Sequence, residues 1–264
     1  MSKIKITVNP EYEANSTLRN FIEHLPDIFV EQGVTLYDKR NVIKSFSLDI
    51  QDKVLCNVVV KRHKKPNLLQ RIVYSFFRSS KAKRAFYNAR ELRHRGIDTP
   101  QEVAYIEQRG ALLFKYGYYV SGCDNAPPII EKLVHQPEFD RAMANDFASF
   151  AMELHKKGIL HHDLNPTNVL YRPTENAYHF SVIDINRMDF LSEGEFPSMK
   201  DCLENLTRFT GRMDLFEYVL RCYVEKRGWD IELAMQDAFI IKKRHDDQRR
   251  RRKAFLRKLS LKKK

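Results

Sequence analysis

Apolar and polar positions change rhythm twice along this chain. Residues 17–32 carry apolar side chains at helical spacing and predict a short helix. Three strand-like runs follow, GVTLY (33–37), NVIKSFSLDI (41–50) and KVLCNVVVKRH (53–63), separated by turn-forming residues. Helical spacing then holds from Asn67 to Arg95, with a break near Ser79-Ser80 and a stop at Gly96. EVAYIEQRGALLFKYGYYV (102–120) predicts a hairpin turning at Arg109-Gly110, and SGCDNAPP (121–128) is a polar link. After it the pattern is mainly helical: 139–157, with Phe147, Phe150, Ala151 and Leu154 on one face, and later 200–241. Between these lie a polar stretch, the short run VLY, a turn at 172–176 and the strand AYHFSVIDI (177–185). Strands first and helices second predict an α+β chain in two lobes. The expected divisions are a small, mainly β N-terminal lobe at 1–120, a hinge at 121–126, a helical lobe at 127–241 and a tail at 242–264.

Composition narrows the class. Of the residues, 43% are hydrophobic and 11% aromatic, which excludes a globally disordered chain. Cys56, Cys123, Cys202 and Cys222 show no C-x-x-C spacing, so neither a disulfide framework nor a zinc site is indicated. No apolar run approaches the roughly 18 residues that span a bilayer. A soluble or peripherally bound intracellular protein is expected.

Charge sharpens this. The chain carries +12, and Ile240 to Lys264 alone holds thirteen Lys and Arg against Asp246 and Asp247. Such a tail can hold an anionic leaflet, bind nucleic acid phosphates or simply be a solvated helix end. Phe255, Leu256 and Leu259 give it an apolar edge that tilts the choice toward membrane over nucleic acid. A second basic stretch runs from Lys53 to Arg90 without one acidic residue. Within it Leu68, Leu69, Ile72, Val73, Phe76 and Phe77 share a helical face, flanked by Arg71, Arg78, Lys81, Lys83 and Arg84. Two readings stand side by side: the face lies in a membrane interface, or it packs onto the sheet of the first lobe.

The polar stretch GILHHDLNPTNVLY (158–171) carries the chemistry. Buried carboxylates and amides are costly unless something pairs with them. Asp163 and Asn168 are five residues apart, and Asp184 ends the next strong strand. The oxygens of Asn168 and Asp184 are hard ligands suited to Mg²⁺. That leaves Asp163 to accept a proton from an attacking hydroxyl, a kit sufficient for phosphoryl transfer. Taken alone, Asp163 also reads as a turn cap and Lys61 as a strand-end lysine with its head in water.

Order and spacing together are more specific. LHKKGILHHDLNPTNVL resembles the catalytic loop of the protein-kinase-like superfamily and the helix before it, with His162 in the usual Arg place. VIDIN resembles the metal-binding D-F-G segment, with Ile185 and Asn186 replacing Phe and Gly. VVVK, ending at Lys61, resembles the strand whose lysine holds the nucleotide phosphates. The resemblance spans roughly 34–190 and implies a two-lobed protein-kinase-like fold using ATP and Mg²⁺. No glycine-rich phosphate loop is present, the turn there being DKRN (38–41). Glu91, the only acidic residue between Lys53 and Arg95, is by elimination the carboxylate that steadies Lys61.

One branch is closest. A basic segment after the lysine strand, a helix ending in Gly96-Ile97-Asp98-Thr99-Pro100, and Asp184-Ile185-Asn186-Arg187 resemble the lipopolysaccharide core kinases, which phosphorylate Kdo or heptose. The resemblance implies an ATP-dependent kinase acting on a glycolipid sugar, Kdo by preference, at the inner face of the cytoplasmic membrane. Asp163 is then the base or the group that orients the hydroxyl, Asn168 and Asp184 hold metal, and Lys61 with Glu91 serves ATP. His162, Asn165 and Arg187 are candidates for substrate or phosphate contacts, and His161 is read as structural. Another small-molecule or RIO-like kinase is the alternative, and a pseudokinase scaffold docking membrane or RNA is a third.

Overall fold

The computed structural model describes residues 2–50, 55–110 and 113–261. Lys53 and Val54 of the third strand run, residues 111–112 of the hairpin and the last three lysines of the tail lie outside them. The chain forms two compact units, one of residues up to Asn125 together with Ser181–Arg187, the other of Ala126–Phe180 and Met188 onward.

The first unit is built on strands β1 (Ser2–Val8), β2 (Val34–Asp38), β3 (Val42–Ser47), β4 (Asn57–Arg62), β5 (Glu102–Gly110) and β6 (Leu113–Gly122). They form one six-stranded sheet in the order β1-β5-β6-β4-β3-β2. Helices α1 (Ser16–Ile28), α2 (Leu68–Phe76) and α3 (Lys81–His94) complete it. Strand β1 is additional to the elements expected from the sequence. Its alternation, Ile4-Ile6-Val8, is short, and pairing with β5 (Ile6 opposite Ile106) is what makes it a strand.

Helix α1 packs Leu18, Ile22, Leu25 and the following Phe29 against Val58, Val60, Tyr118 and Val120. Burying each such side chain stabilises by roughly 1.5–3 kcal/mol. With that face of β4 occupied, strand alternation sends Lys61 to the other face, opposite Tyr119 of β6. Helix α3 covers that side, burying Ala82, Ala85, Phe86, Ala89 and Leu92, with the Phe86 ring edge-on to Tyr105 at 5.3 Å.

The predicted break between α2 and α3 has a local cause. Ser80 caps α3 by accepting the Lys83 amide at 3.1 Å. Helix α2 is oriented the other way from an ordinary core helix. None of its residues is buried, and Leu69 (72% exposed) and Phe77 (82%) face outward. Its polar side is the one tied down: Arg71 Nε donates to Phe114 O at 2.8 Å, and the Phe114 amide donates to Ser75 Oγ at 2.8 Å. Of the two readings of this face, packing onto the sheet is therefore excluded.

The second unit contains α4 (Ile130–Leu133), α5 (Arg141–Lys156), β7 (Ile159–His161), β8 (Val169–Pro173), most of β9 (Tyr178–Val182), β10 (Met188–Phe190), α6 (Met199–Leu206), α7 (Met213–Arg227) and α8 (Ile231–Leu261). Its core includes Phe147 stacked on Phe209 at 4.3 Å. The single helical stretch expected over 200–241 is three helices, and Gly228, left-handed at φ 66°, ends the second of them. The basic tail continues α8 as helix. Its first lysine, Lys242, is buried and donates to Thr207 O (3.3 Å) and Thr210 O (2.9 Å). Those carbonyls follow the end of α6, where cations are favourable.

Candidate active site

In the second unit, β7 delivers the chain into the polar stretch. His161 at its end is fully buried, and its Nδ1 accepts the Asp163 amide at 3.1 Å. Leu164 is buried beneath the loop, so its polar neighbours are carried at the surface of that anchor. Asn165 Nδ2 donates to Asp163 Oδ1 at 3.2 Å, and Asn168 Nδ2 donates to Asp163 O at 2.9 Å. One N–H of the Asn168 side chain is thereby used within the loop. His162 Nε2 meets Asp189 Oδ2 at 2.6 Å, and the backbone carbonyl of His162 accepts from Arg208.

A buried polar chain supports this loop. Asn205 of α6 donates to His161 O at 2.9 Å and accepts from His155 Nε2 at 3.1 Å. His155 Nδ1 in turn accepts the Tyr223 hydroxyl at 2.7 Å. Burial pushes the His155 ring down to about 4, against the pull of its bond to Asn205. The neutral ring therefore donates at one nitrogen and accepts at the other. Asn205 and Tyr223 are missing from the sequence reading because the residues they serve are far away in the chain.

In the first unit, Lys61 Nζ lies 2.7 Å from Asp184 Oδ1. Asp184 is the only non-glycine residue at positive φ (55°) among the described residues. Such conformations persist where surrounding contacts over-determine them, and they cluster at functional sites. Here those contacts are backbone ones. Thr99 Oγ1 donates to Val182 O at 2.7 Å, Asn88 Nδ2 to Ile185 O at 2.6 Å and Arg84 Nε to Asn186 O at 3.2 Å. Asn186 Nδ2 donates to Asp184 Oδ1 at 2.5 Å.

Positive charge gathers around this carboxylate. Burial, with the charges of Arg40 and Arg187, holds Lys81 below the ordinary lysine range, while Asp184 opposes the shift. His63 is buried with both ring nitrogens unpartnered, and desolvation and the charges of Lys61 and Lys81 push it down to about 3. It is neutral. Arg187 itself is exposed.

Glu91 is not the carboxylate at Lys61. Its Oε1 is held by Arg95 Nε at 2.6 Å, one turn along α3, and no ion pair joins it to Lys61 among the described residues. The elimination argument assumed that the helix must supply an acid. The carboxylate at the lysine is instead Asp184, and the residues of α3 that reach its segment are donors, Arg84 and Asn88. The signal for them lay in the stripe Lys81, Arg84, Asn88, Glu91, Arg95, spaced by three or four.

The sequence matches the lipopolysaccharide kinase (Kdo/WaaP) family over residues 65–217. The chain belongs to this family. It is a phosphotransferase with an alcohol group as acceptor, and more narrowly a lipopolysaccharide kinase. The match takes in the 158–171 loop and Asp184 but begins after Lys61, which rests on the 2.7 Å ion pair instead. Among solved structures, one described as WaaP in complex with acyl carrier protein aligns with a TM-score of 0.58 at 16% identity. That alignment covers 92% of this chain and 98% of the other, and shows a shared kinase-like α+β fold. No curated protein matches the sequence.

Proposed function

We propose that this protein transfers the terminal phosphate of ATP to a sugar hydroxyl of the lipopolysaccharide inner core, on Kdo, at the inner face of the cytoplasmic membrane. The observation that carries the reading is Asp184, held left-handed with its carboxylate against Lys61. The carbonyl oxygen of Asn168 and the carboxylate of Asp184 are both hard donors of the kind Mg²⁺ takes, an ion that asks for few protein ligands beside phosphate and water. Bound there with nucleotide, the ion would neutralise charge on the transferring phosphoryl group.

The chain's own residues do the rest. Asp163 takes the proton of the acceptor hydroxyl as its oxygen bonds to the γ-phosphorus and the bond to the β-phosphate oxygen breaks, releasing ADP. Asn165 orients that carboxylate through its bond to Oδ1. Lys61, paired here with Asp184, turns to the nucleotide phosphates. Lys81, Arg40 and Arg187 supply the positive field that a glycine-rich loop's amides supply elsewhere, and Arg187 also suits the acidic acceptor sugar. His162, engaged by Asp189, shapes the acceptor side of the loop.

The membrane part of the reading is supported by α2. Leu68, Leu69, Ile72, Phe76 and Phe77 are exposed together, beside Lys64, Lys65 and Arg78. An apolar face rimmed by cations fits an anionic lipid surface. No helix among the described residues is long and apolar enough to cross a membrane.

The test is transfer of label from ATP to purified Kdo–lipid A, run for wild type and Asp163→Ala. Wild type should label the glycolipid, and the variant should be slower by at least about a hundredfold, the scale of lost general-base catalysis. Label on a heptose-bearing core glycolipid but not on Kdo–lipid A would move the acceptor assignment, and no label on either despite magnesium–nucleotide binding would end the lipopolysaccharide reading.

A further inference from the structure

The segment Val182–Asn186 carries the one non-glycine left-handed residue among the described residues, and side chains from elsewhere in the first unit hold its backbone on both sides of that residue. Before Asp184, Thr99 bonds Val182 O and the Val182 amide donates to Asp98 O at 2.9 Å. After it, Asn88 takes Ile185 O at 2.6 Å and Arg84 takes Asn186 O at 3.2 Å. Arg84 and Asn88 are one turn apart and share a face of α3. Helix α3 is itself fixed to the sheet by Ala85, Phe86, Ala89 and Leu92, all buried. The two donors are therefore mounted on a rigid element, as groups that set a site's geometry need to be.

A helix carboxylate paired with Lys61 would fix the lysine. This helix does something different: it contributes N–H groups that fix the backbone of the metal-binding aspartate. We infer that Asn88 and Arg84 are positioning residues for phosphoryl transfer, holding Asp184 in the left-handed conformation that presents its carboxylate. The inference rests on the metal role proposed for Asp184. Neither residue touches the reacting atoms. Without their bonds, the carbonyls of Ile185 and Asn186 lose partners, and the segment relaxes toward conformations that an aspartate adopts more readily.

Asn88→Asp is the decisive variant because it keeps the side chain's size and removes the donor. Two readouts are needed. In the metal-free protein, amide hydrogen exchange over 184–187 should speed up about tenfold, the scale of one lost hydrogen bond, with β5 and β6 unchanged. Affinity for a non-hydrolysable ATP analogue should stay near wild type in EDTA and lose about tenfold of its magnesium-dependent gain. Arg84→Met should act in the same direction, and Arg84→Lys should recover part of the loss.

Unchanged exchange in Asn88→Asp would overturn the inference. So would an equal loss of analogue affinity with and without magnesium, which marks a general packing role. Should wild type bind the analogue alike in magnesium and in EDTA, the metal role of Asp184 falls. The exchange result then decides by itself whether the two donors hold the segment.

Discussion

Helices α2 and α3 follow one another in the chain, within a basic stretch that contains no acid before Glu91. Yet they are turned opposite ways. Helix α3 buries its apolar face and offers its polar stripe to the Asp184 segment. Helix α2 bonds its polar face to β6 and leaves its apolar face outward. The reason lies in the sheet. Pairing of β4 with β6 ends at Arg62 opposite Tyr118, so on the side of β6 away from β5 no strand lies beside Phe114 among the described residues. An open edge needs donors and acceptors, and Arg71 and Ser75 provide them. Farther along, β5 and β6 pair with each other and present an apolar surface, including Tyr105, and the apolar face of α3 meets that.

Three measurements would break or sharpen this contrast. The largest effect is expected from Phe86→Ser on α3, which empties a fully buried site and should cost about 3–5 kcal/mol in denaturant unfolding. Phe77→Ser on α2 should stay within about 0.5 kcal/mol of wild type, as exposed substitutions do. Comparable losses at both positions would mean that α2 is a core helix after all. Next, the double variant Phe76→Ser/Phe77→Ser should weaken sedimentation with phosphatidylglycerol vesicles by at least about tenfold, given roughly 25 cal/mol for each Å² of apolar surface buried. Wild type should ignore neutral phosphatidylcholine vesicles, and preference for RNA over anionic vesicles would transfer the basic surfaces to a nucleic acid. The smallest effect belongs to Arg71→Met, which keeps the length but frees Phe114 O. It should cost about 1 kcal/mol and leave vesicle binding intact.

Legibility differs between the 158–171 loop and the Asp184 segment for a related reason. The 158–171 loop bonds mostly to itself: Asp163 to His161, Asn165 to Asp163 and Asn168 to Asp163 are contacts across two to five residues. Local chemistry of this sort leaves a motif, and the motif was readable. The Asp184 segment is held by Asn88 and Arg84, from about a hundred positions upstream. The stripe that includes Asn88 marks a polar face of α3, but it does not say which distant segment that face meets, and the search for an acid therefore settled on Glu91. The strand carrying Lys61 was readable because β4 carries a run of three β-branched valines, Val58 to Val60, whereas β1 depends on pairing with β5 for its existence.

By itself, the sequence determined the order of strands and helices apart from β1, the break at Ser80, the apolar stripe of α2 and the polar loop at 158–171. These follow from periodicity, capping and short-range hydrogen bonding, which act between neighbours in the chain. Only the tertiary structure decided which way α2 faces, that Lys61 meets Asp184 rather than Glu91, and that a donor stripe on α3 holds the left-handed aspartate. Those outcomes depend on which backbone groups the finished sheet leaves unpaired and on which distant residues it brings within reach, and neither quantity exists until the chain has folded.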